Sequence, residues 1–261
     1  MKYIDVYPTP ALAPELPENG VAVAIDALRA TTTITTALAN GADAVTPFET
    51  VEETIRAKET AIRNERENAA RIILGGERGG LPIAGFDLGN SPRAYDRATV
   101  EAKTVYFTTT NGTKAILACR GRVLLASYLN ANAVVARILE SRAERVSIVC
   151  AGTNGDYTEE DLLLAGLLTE RLTLADREYA LNVQAEVTRE QFRHDRATAL
   201  VERLRASRGG QNLKRIGLAR DIADAARLDS LDVVPECRRI ADFPYVEIKL
   251  YDAVASSGRE S

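Results

Sequence analysis

Residues 21–33 read Val21-Ala22-Val23-Ala24-Ile25-Asp26-Ala27-Leu28-Arg29-Ala30-Thr31-Thr32-Thr33. The apolar run at 21–25 predicts a short buried β-strand. Residues 31–40 predict a helix that ends before Gly41, because glycine favours the position just after a helix end. A buried strand that leads directly into a helix is the beginning of a βαβ unit, so this stretch indicates an α/β fold.

The same alternation continues along the first two-thirds of the chain. Further strands are predicted at the N-terminus and at 71–74, 104–108, 122–126 and 145–150, and helices at 50–68, 113–118, 130–140 and 158–174. Residues 75–92 are predicted to form a loop rich in Gly and Pro, too long for a simple connection. This order predicts a mostly parallel or mixed sheet with helices on both faces.

The last third of the chain has a different pattern. Residues 176–228 are charged and helical in character, and late strands are predicted at 233–234 and 246–248. No internal repeat or linker-like change in composition divides the sequence. We therefore expect one domain over residues 1–261. Whether residues 176–228 form a separate helical lobe of that domain stays an open question.

Charge and cysteine content exclude several classes of protein. The 261 residues include 33 Lys and Arg mixed among 37 Asp and Glu, without the basic excess typical of nucleic-acid-binding proteins. Three separated cysteines and one histidine, His194, cannot form the usual zinc cluster, and they favour a reducing, cytoplasmic location. No apolar run approaches the roughly 18 residues of a membrane span, so no membrane partner is expected.

Several familiar phosphate-handling motifs are absent. The glycine cluster at 75–80 does not have the spacing of a dinucleotide fingerprint, and residues 111–114 have the wrong order for a phosphate loop. Asp156 stands six residues after Cys150, where a cysteine phosphatase needs Arg, and Leu28 stands where a haloacid-dehalogenase-type phosphatase needs a second Asp. The groups that perform acid–base chemistry must therefore be carboxylates, hydroxyls or a metal-bound water.

Three predicted strands share one design at their carboxyl ends. The strands end in Asp26 to Thr33, in Thr108-Thr109-Thr110-Asn111-Gly112-Thr113-Lys114 and in Cys150-Ala151-Gly152-Thr153-Asn154-Gly155, each ahead of a helix. Carboxyl ends of parallel strands lie along one edge of a sheet, and helix starts attract anions. Arg29 adds a guanidinium that grips oxyanions. The three loops together predict a polar cradle for an anion, although each alone is equally typical of helix caps and turns.

Acidic residues are expected near this cradle. Glu77 and Asp87 lie in the predicted loop at 75–92, and the cluster Glu159-Glu160-Asp161 lies at the start of the predicted helix at 158–174. Carboxylates repel an anion bound beside them unless a cation lies between the like charges. Hard oxygen ligands of this kind suit Mg²⁺. First-turn acids that favour the helix dipole are the alternative explanation of residues 159–161.

Taken together, these motifs resemble the 2-phosphosulfolactate phosphatase family, a class of Mg²⁺-dependent acid phosphatases linked to coenzyme M biosynthesis. The stretches that carry the resemblance are IDALRATTT (25–33), GGER (75–78), GFDLGNSP (85–92), TNGT (110–113) and CAGT (150–153), then Glu160-Asp161, Gly217, Asp221-Ile222 and Val233-Val234-Pro235. They occur in the same order as in the family from about residue 5 to 248. The resemblance is weakest at about 176–206.

The resemblance implies a three-layer α/β/α enzyme that hydrolyses a phosphorylated sulfonate to sulfolactate and phosphate. Under this hypothesis Mg²⁺ is bound by some of Asp26, Glu77 and Asp161, and Asp26 is either a ligand or the nucleophile. The anions of the substrate would be held by Arg29, Thr31, Thr32, Thr110, Asn111, Gly112, Thr113 and Gly152.

Two other functions are compatible with the same scaffold. A non-catalytic module that binds a small organic anion such as a sulfonate would keep the cradle without needing the acids. A nicotinamide-dependent enzyme is disfavoured by the missing glycine fingerprint. The sequence leaves open the physiological substrate and whether the chain forms a homo-oligomer.

Overall fold

Eleven strands join into one sheet in this computed structural model, which describes residues 1–14, 20–64, 69–194, 198–239 and 245–251. The strands are β1 Lys2–Tyr7, β2 Val21–Ile25, β3 Ala44–Phe48, β4 Ile72–Arg78, β5 Leu81–Pro82, β6 Thr104–Thr108, β7 Arg122–Ala126, β8 Arg145–Cys150, β9 Tyr179–Leu181, β10 Pro235–Arg239 and β11 Val246–Leu250. The helices are α1 Ala30–Ala39, α2 Val51–Arg63, α3 Arg97–Val100, α4 Gly112–Ala118, α5 Ala131–Ser141, α6 Glu159–Ala175, α7 Val183–His194, α8 Leu200–Ala206, α9 Arg208–Arg215 and α10 Arg220–Ala225.

The sheet consists of two parallel blocks joined by a hairpin. Its strand order is β5-β4-β6-β3-β11-β10-β7-β2-β8-β1-β9. Strands β4, β6 and β3 are mutually parallel, as are β7, β2, β8, β1 and β9. The antiparallel pair β10–β11 lies between the blocks and is antiparallel to its neighbour on each side. The predicted α/β class with a mostly parallel, mixed sheet is therefore confirmed.

Strand β2 shows why helices cover both faces of the sheet. Its alternate residues Val21, Val23 and Ile25 pack in one apolar cluster with α5 and α6, whereas Ala22 and Ala24 pack in another with α1 and α4. A strand that is apolar on both sides must be covered on both sides, which gives three layers in this block. A third, smaller cluster packs α2 against β3, β4 and β6.

The hairpin has a consequence for the edges of the sheet. Because three successive antiparallel pairings separate β3 from β7, the chain direction along the sheet reverses between the two blocks. Neighbouring strands rotate by about 20–25°, so the five steps from β2 to β6 accumulate roughly 100° of twist. Helices α1 and α4 contact strands of both blocks, and α4 begins beside the end of β2. Twist and these bridging helices bring the carboxyl ends of the two blocks together.

The structure differs from the predicted secondary structure in four places. Strand β4 continues through residues 75–78 and pairs with β5, so the predicted loop at 75–92 begins with a hairpin. Residues 233–234 precede β10 instead of forming a strand. The short strand β9 interrupts the predicted helical segment because it pairs with β1. The predicted helix at 50–68 ends at Arg63, and residues 65–68 lie outside the described part of the chain.

The charged helices after α6 pack onto the main core. Leu204, Leu213 and Ile222, from α8, α9 and α10, belong to the same apolar cluster as β2 and β8. The division of the chain into domains stays a prediction. Among the described residues, none of the helices combines the length and the apolarity that crossing a bilayer requires.

Candidate active site

A cavity of about 720 Å³ opens where the loops after β2, β4, β6 and β8 meet helix α9. Its walls combine buried carboxylates, polar side chains and guanidinium groups. The lining includes Asp26, Arg29, Glu77, Asn90, Thr110, Asn111, Gly152, Glu160, Asp161, Arg208, Asn212 and Arg215. The three loops that the sequence predicted to converge therefore do so, together with elements that it did not predict.

Asp26 is held at the end of β2 by its own loop. Its N–H donates to Thr31 Oγ1 at 3.1 Å, and that hydroxyl donates back to the Asp26 carbonyl at 2.9 Å. The start of α4 closes over it, since a Cβ on Gly112 would lie 2.4 Å from Asp26 Oδ2. Burial raises the pKa of Asp26 to about 7, and the charges of Glu77 and Glu160 add to the rise against the Ala30 N–H. Asp26 is thus a carboxyl group in an environment that disfavours an uncompensated negative charge.

Asp161 connects two loops at the start of α6. Its Oδ1 accepts from the Ala27 N–H at 2.8 Å and its Oδ2 from the Gly152 N–H at 3.0 Å. Burial raises its pKa, and the neighbouring Asp26 and Glu160 act in the same direction. With one backbone donor on each oxygen, Asp161 ties the β2 loop to the β8 loop.

The neighbouring Glu160 differs in one respect. Its Oε1 accepts from the Gly209 N–H at 3.0 Å, but its Oε2 is buried and has no hydrogen-bond partner among the described residues. Burial raises the pKa of this carboxyl, while backbone N–H groups and the Ser207 hydroxyl act in the opposite direction. A buried carboxylate oxygen without a donor requires an explanation, and a bound ligand supplies one.

Glu77 organises the rim that β4 and β6 share. Its Oε1 accepts from the Thr110 N–H at 2.7 Å, and its Oε2 accepts from the Gly80 N–H at 2.6 Å and the Thr110 hydroxyl at 3.2 Å. Both of its oxygens are therefore already occupied by donors of neighbouring loops.

Arg29 lines the cavity as half of a buried ion pair. Its Nη1 donates to Asp221 Oδ2 at 2.7 Å and its Nη2 to the Gly80 carbonyl at 2.8 Å. Arg29 is 3% exposed and Asp221 1%, and Asp221 Oδ1 accepts from the Ser91 hydroxyl at 2.7 Å. Among the described residues, hydrogen bonds engage two of its five guanidinium N–H groups, which leaves donors for an anion in the cavity.

Asn90 presents an unsatisfied amide to the same space. The residue is 5% exposed, and its Oδ1 has no hydrogen-bond partner among the described residues. Its backbone is fixed, since the Asn90 carbonyl accepts from the Thr33 hydroxyl at 3.0 Å. An amide offers both donors and an acceptor, so Asn90 is suited to contact a polar ligand.

The structure separates the predicted anion-binding residues into two groups. Those that line the cavity are Arg29, Thr110, Asn111 and Gly152. Those that lie behind its wall are Thr31, Thr32, Gly112 and Thr113. The hydroxyls of Thr31, Thr32 and Thr113 donate to backbone carbonyls, so they shape the loops. Direct substrate binding by this second group stays a prediction without a contact to support it.

The predicted metal ligands share the cavity without forming a coordination group. Among the described residues, no three side chains of His, Cys, Asp or Glu are arranged to hold a metal ion together. Glu77 and Asp161 have both oxygens engaged by neighbouring groups, whereas Glu160 has an oxygen to spare. The ligand set Asp26, Glu77 and Asp161 stays a prediction; Glu160, which is not in that set, is the carboxylate with a buried oxygen that no described residue contacts by a hydrogen bond.

Sequence reasoning missed the contribution of two segments. Asn90 lies within the GFDLGNSP stretch that carries the family resemblance, which was the available signal. Helix α9 supplies Arg208, Asn212 and Arg215, and nothing in its sequence distinguishes it from a solvated charged helix. Its position depends on packing of Leu213 in the core and of Gly209 against Glu160.

Comparison with known proteins gives a consistent result. The sequence model of the family described as 2-phosphosulpholactate phosphatase matches residues 7–239. The chain is 43% identical to a probable 2-phosphosulfolactate phosphatase of Symbiobacterium thermophilum, over 82% of this chain and 90% of that one. It is 42% identical to a protein of the same description from Parasynechococcus marenigrum, over 87% and 92% of the two chains. The chain belongs to the 2-phosphosulpholactate phosphatase family.

Proposed function

We propose that this protein is a phosphoric monoester hydrolase that converts 2-phosphosulfolactate to sulfolactate and inorganic phosphate. The observation that carries the proposal is a cavity in a member of this family that combines Asp26 and Glu160 with the guanidinium of Arg29 and the amide of Asn90. A binding module for an organic anion does not need the four carboxylates that line the cavity. Hydrolysis assisted by a cation does need carboxylates, because they hold the cation.

Magnesium dependence is part of this proposal, and the donor set fits the ion. Asp26 and Glu160 supply hard oxygen donors, and the unpartnered Glu160 Oε2 is suited to a cation. Mg²⁺ usually takes one or two carboxylates and keeps waters for a phosphate, so these two side chains would hold it. When bound, the ion supplies neutralisation of the phosphoryl oxygens.

The residues of the chain have distinct roles in the proposed reaction. Arg29 donates hydrogen bonds to the anion with the guanidinium N–H groups that do not contact Asp221 or Gly80. Asn90 orients the substrate through its free amide, and Asp161 fixes the β2 and β8 loops around it. The oxygen of water forms a bond to phosphorus, the ester P–O bond breaks, and one proton of that water ends on the leaving oxygen, which becomes the hydroxyl of sulfolactate. The fixed donors stabilise the charge that develops on the phosphoryl oxygens while these bonds form and break.

The test is phosphate release from 2-phosphosulfolactate by the purified chain, with Mg²⁺ and with a chelator. We expect activity only with the metal, and a fall of at least roughly 100-fold in Asp26→Asn and Glu160→Gln. Glu159→Gln is the matched control, since Glu159 is the preceding residue and does not line the cavity. Sulfolactate binding without phosphate release by the wild-type chain would favour the binding module and refute the enzyme.

We also propose a cytoplasmic location and a role in coenzyme M biosynthesis. The sparse cysteines support a reducing, cytoplasmic location, and the family resemblance supports a role in coenzyme M biosynthesis. A panel of phosphorylated hydroxy acids, each with and without a sulfonate, would identify the preferred substrate.

A further inference from the structure

The charges that line the cavity are separated by depth. The carboxylates of Glu77, Glu160 and Asp161 are buried, whereas the side chains of Arg208 and Arg215 on α9 are exposed at the mouth. Carboxylates therefore outnumber cations at the inner end, where Arg29 is the buried guanidinium of the lining, whereas α9 places arginines at the entrance. A second anionic group of a ligand is repelled by the carboxylates and attracted by the arginines of α9.

Helix α9 is fixed relative to the inner end of the cavity. The Ser207 hydroxyl caps its first turn by accepting from the Gly210 N–H at 3.3 Å, and the Gly209 N–H donates to Glu160 Oε1 at 3.0 Å. The other end of the helix meets the β4–β5 turn, where a Cβ on Gly80 would lie 2.8 Å from Ile216 Cδ1. The arginines of α9 are thus carried by a backbone whose distance from the carboxylates is set by packing.

The two arginines differ in how much of their charge is engaged. Arg208 Nη1 pairs with Asp156 Oδ2 at 2.9 Å, and both side chains are exposed, so water screens this pair. Arg215 Nη2 donates to Asn212 Oδ1 at 2.6 Å, and Arg215 has no carboxylate partner among the described residues. Asn212 also lines the cavity and holds the guanidinium on its side of the helix. Arg215 therefore offers a full positive charge with spare N–H donors.

We infer that Arg215, assisted by Arg208, binds the sulfonate group of the substrate and makes the enzyme selective for sulfonated esters. This inference rests on the proposed function, because it places the phosphate at the carboxylate-lined inner end. A sulfonate stays ionised and presents three acceptor oxygens, which suit the planar donor array of a guanidinium. The cavity of about 720 Å³ has room for this second group beyond the phosphate.

The experiment compares 2-phosphosulfolactate with 2-phospholactate, which lacks only the sulfonate. The quantity measured is the ratio of kcat/KM for the two substrates. In Arg215→Ala we expect this ratio to fall roughly 10- to 100-fold, the usual effect of losing a charged hydrogen bond, and less in Arg215→Lys. In Arg29→Ala both values of kcat/KM should fall together. Lys214→Ala is the matched control, since this exposed neighbour does not line the cavity and should leave both values unchanged.

The outcomes distinguish this inference from the proposed function. An unchanged ratio in Arg215→Ala, or an equal loss on both substrates, would overturn the sulfonate site while leaving the phosphatase intact. If the wild-type chain hydrolyses neither ester, the proposed function fails, and calorimetric titration with sulfolactate then tests the site by itself. Binding weakened by Arg215→Ala and not by Lys214→Ala would support the site, and equal binding by all three proteins would refute it.

Discussion

Asp221→Ala tests whether the buried ion pair with Arg29 holds the cavity wall together. The two residues are 192 positions apart in the chain, and the bond between Arg29 Nη1 and Asp221 Oδ2 measures 2.7 Å. Removal of the carboxylate leaves the guanidinium inside the protein without its counter-charge. It also leaves the Ser91 hydroxyl, which donates to Asp221 Oδ1, without its acceptor.

The expected loss of stability follows from burial. Breaking a buried pair by removing one partner costs about 3–5 kcal/mol, because the remaining charge stays desolvated. Coulomb's law gives a similar figure of about 4 kcal/mol for unit charges 4 Å apart at an effective dielectric constant of about 20. The control is Asp224, which is also on α10: its ion pair with Arg93 has side chains 32% and 50% exposed, so Asp224→Ala should cost less than about 1 kcal/mol.

Urea unfolding followed by circular dichroism measures both variants. The double variant Arg29→Met with Asp221→Leu should recover most of the loss, because it leaves no unpaired charge inside the protein. The reasoning would be refuted if Asp221→Ala cost no more than Asp224→Ala. A double variant less stable than Asp221→Ala would also refute it.

Three more predictions concern single side chains. Gly112→Ala should reduce phosphate release by at least about tenfold, because its Cβ would lie 2.4 Å from both Ala30 Cβ and Asp26 Oδ2 and would shift the start of α4 relative to the carboxylate. Activity equal to that of the wild type would contradict this. Asn90→Leu should lower kcat/KM without lowering Tm, because it removes a buried amide oxygen that has no hydrogen-bond partner among the described residues. A clear fall in Tm would show that the amide stabilises the fold. Cys119 and Cys150 should not react with a thiol reagent at pH 8 in the folded protein. Burial raises the pKa of the Cys119 thiol to about 12 and raises that of the Cys150 thiol well above its usual value. Rapid labelling of either cysteine would contradict their burial.

Local patterns predicted the parallel core well. Strands β6, β7 and β8 have the bounds predicted for them, because each contains a mostly apolar run that is buried in the sheet. The end of β4 escaped prediction because its glycines read as a loop, and they are in a strand only through pairing with β6. Pairing is a property of the neighbouring strand, which the local sequence does not contain.

The candidate site shows the same division. Sequence alone determined that Asp26, Arg29, Asn111 and Gly152 follow strands or start helices, and it predicted that they would converge. The shared sheet edge behind that prediction exists for the loops after β2 and β8, whereas Asn111 follows β6 in the reversed block and reaches the site through the twist of the sheet. Tertiary structure alone decided what each does: it gave Arg29 a partner in Asp221, and it placed the arginines of α9 at the mouth of the cavity.

Glu160 and Asp161 show the physical reason most clearly. The two acids are adjacent in the chain, but successive residues of a helix point about 100° apart. As a result Asp161 accepts from two backbone N–H groups, whereas one buried oxygen of Glu160 has no donor in the part of the chain that the structure describes. Residue type and spacing determine which groups reach a site, whereas the donors and charges around each group come from distant segments that only folding brings near.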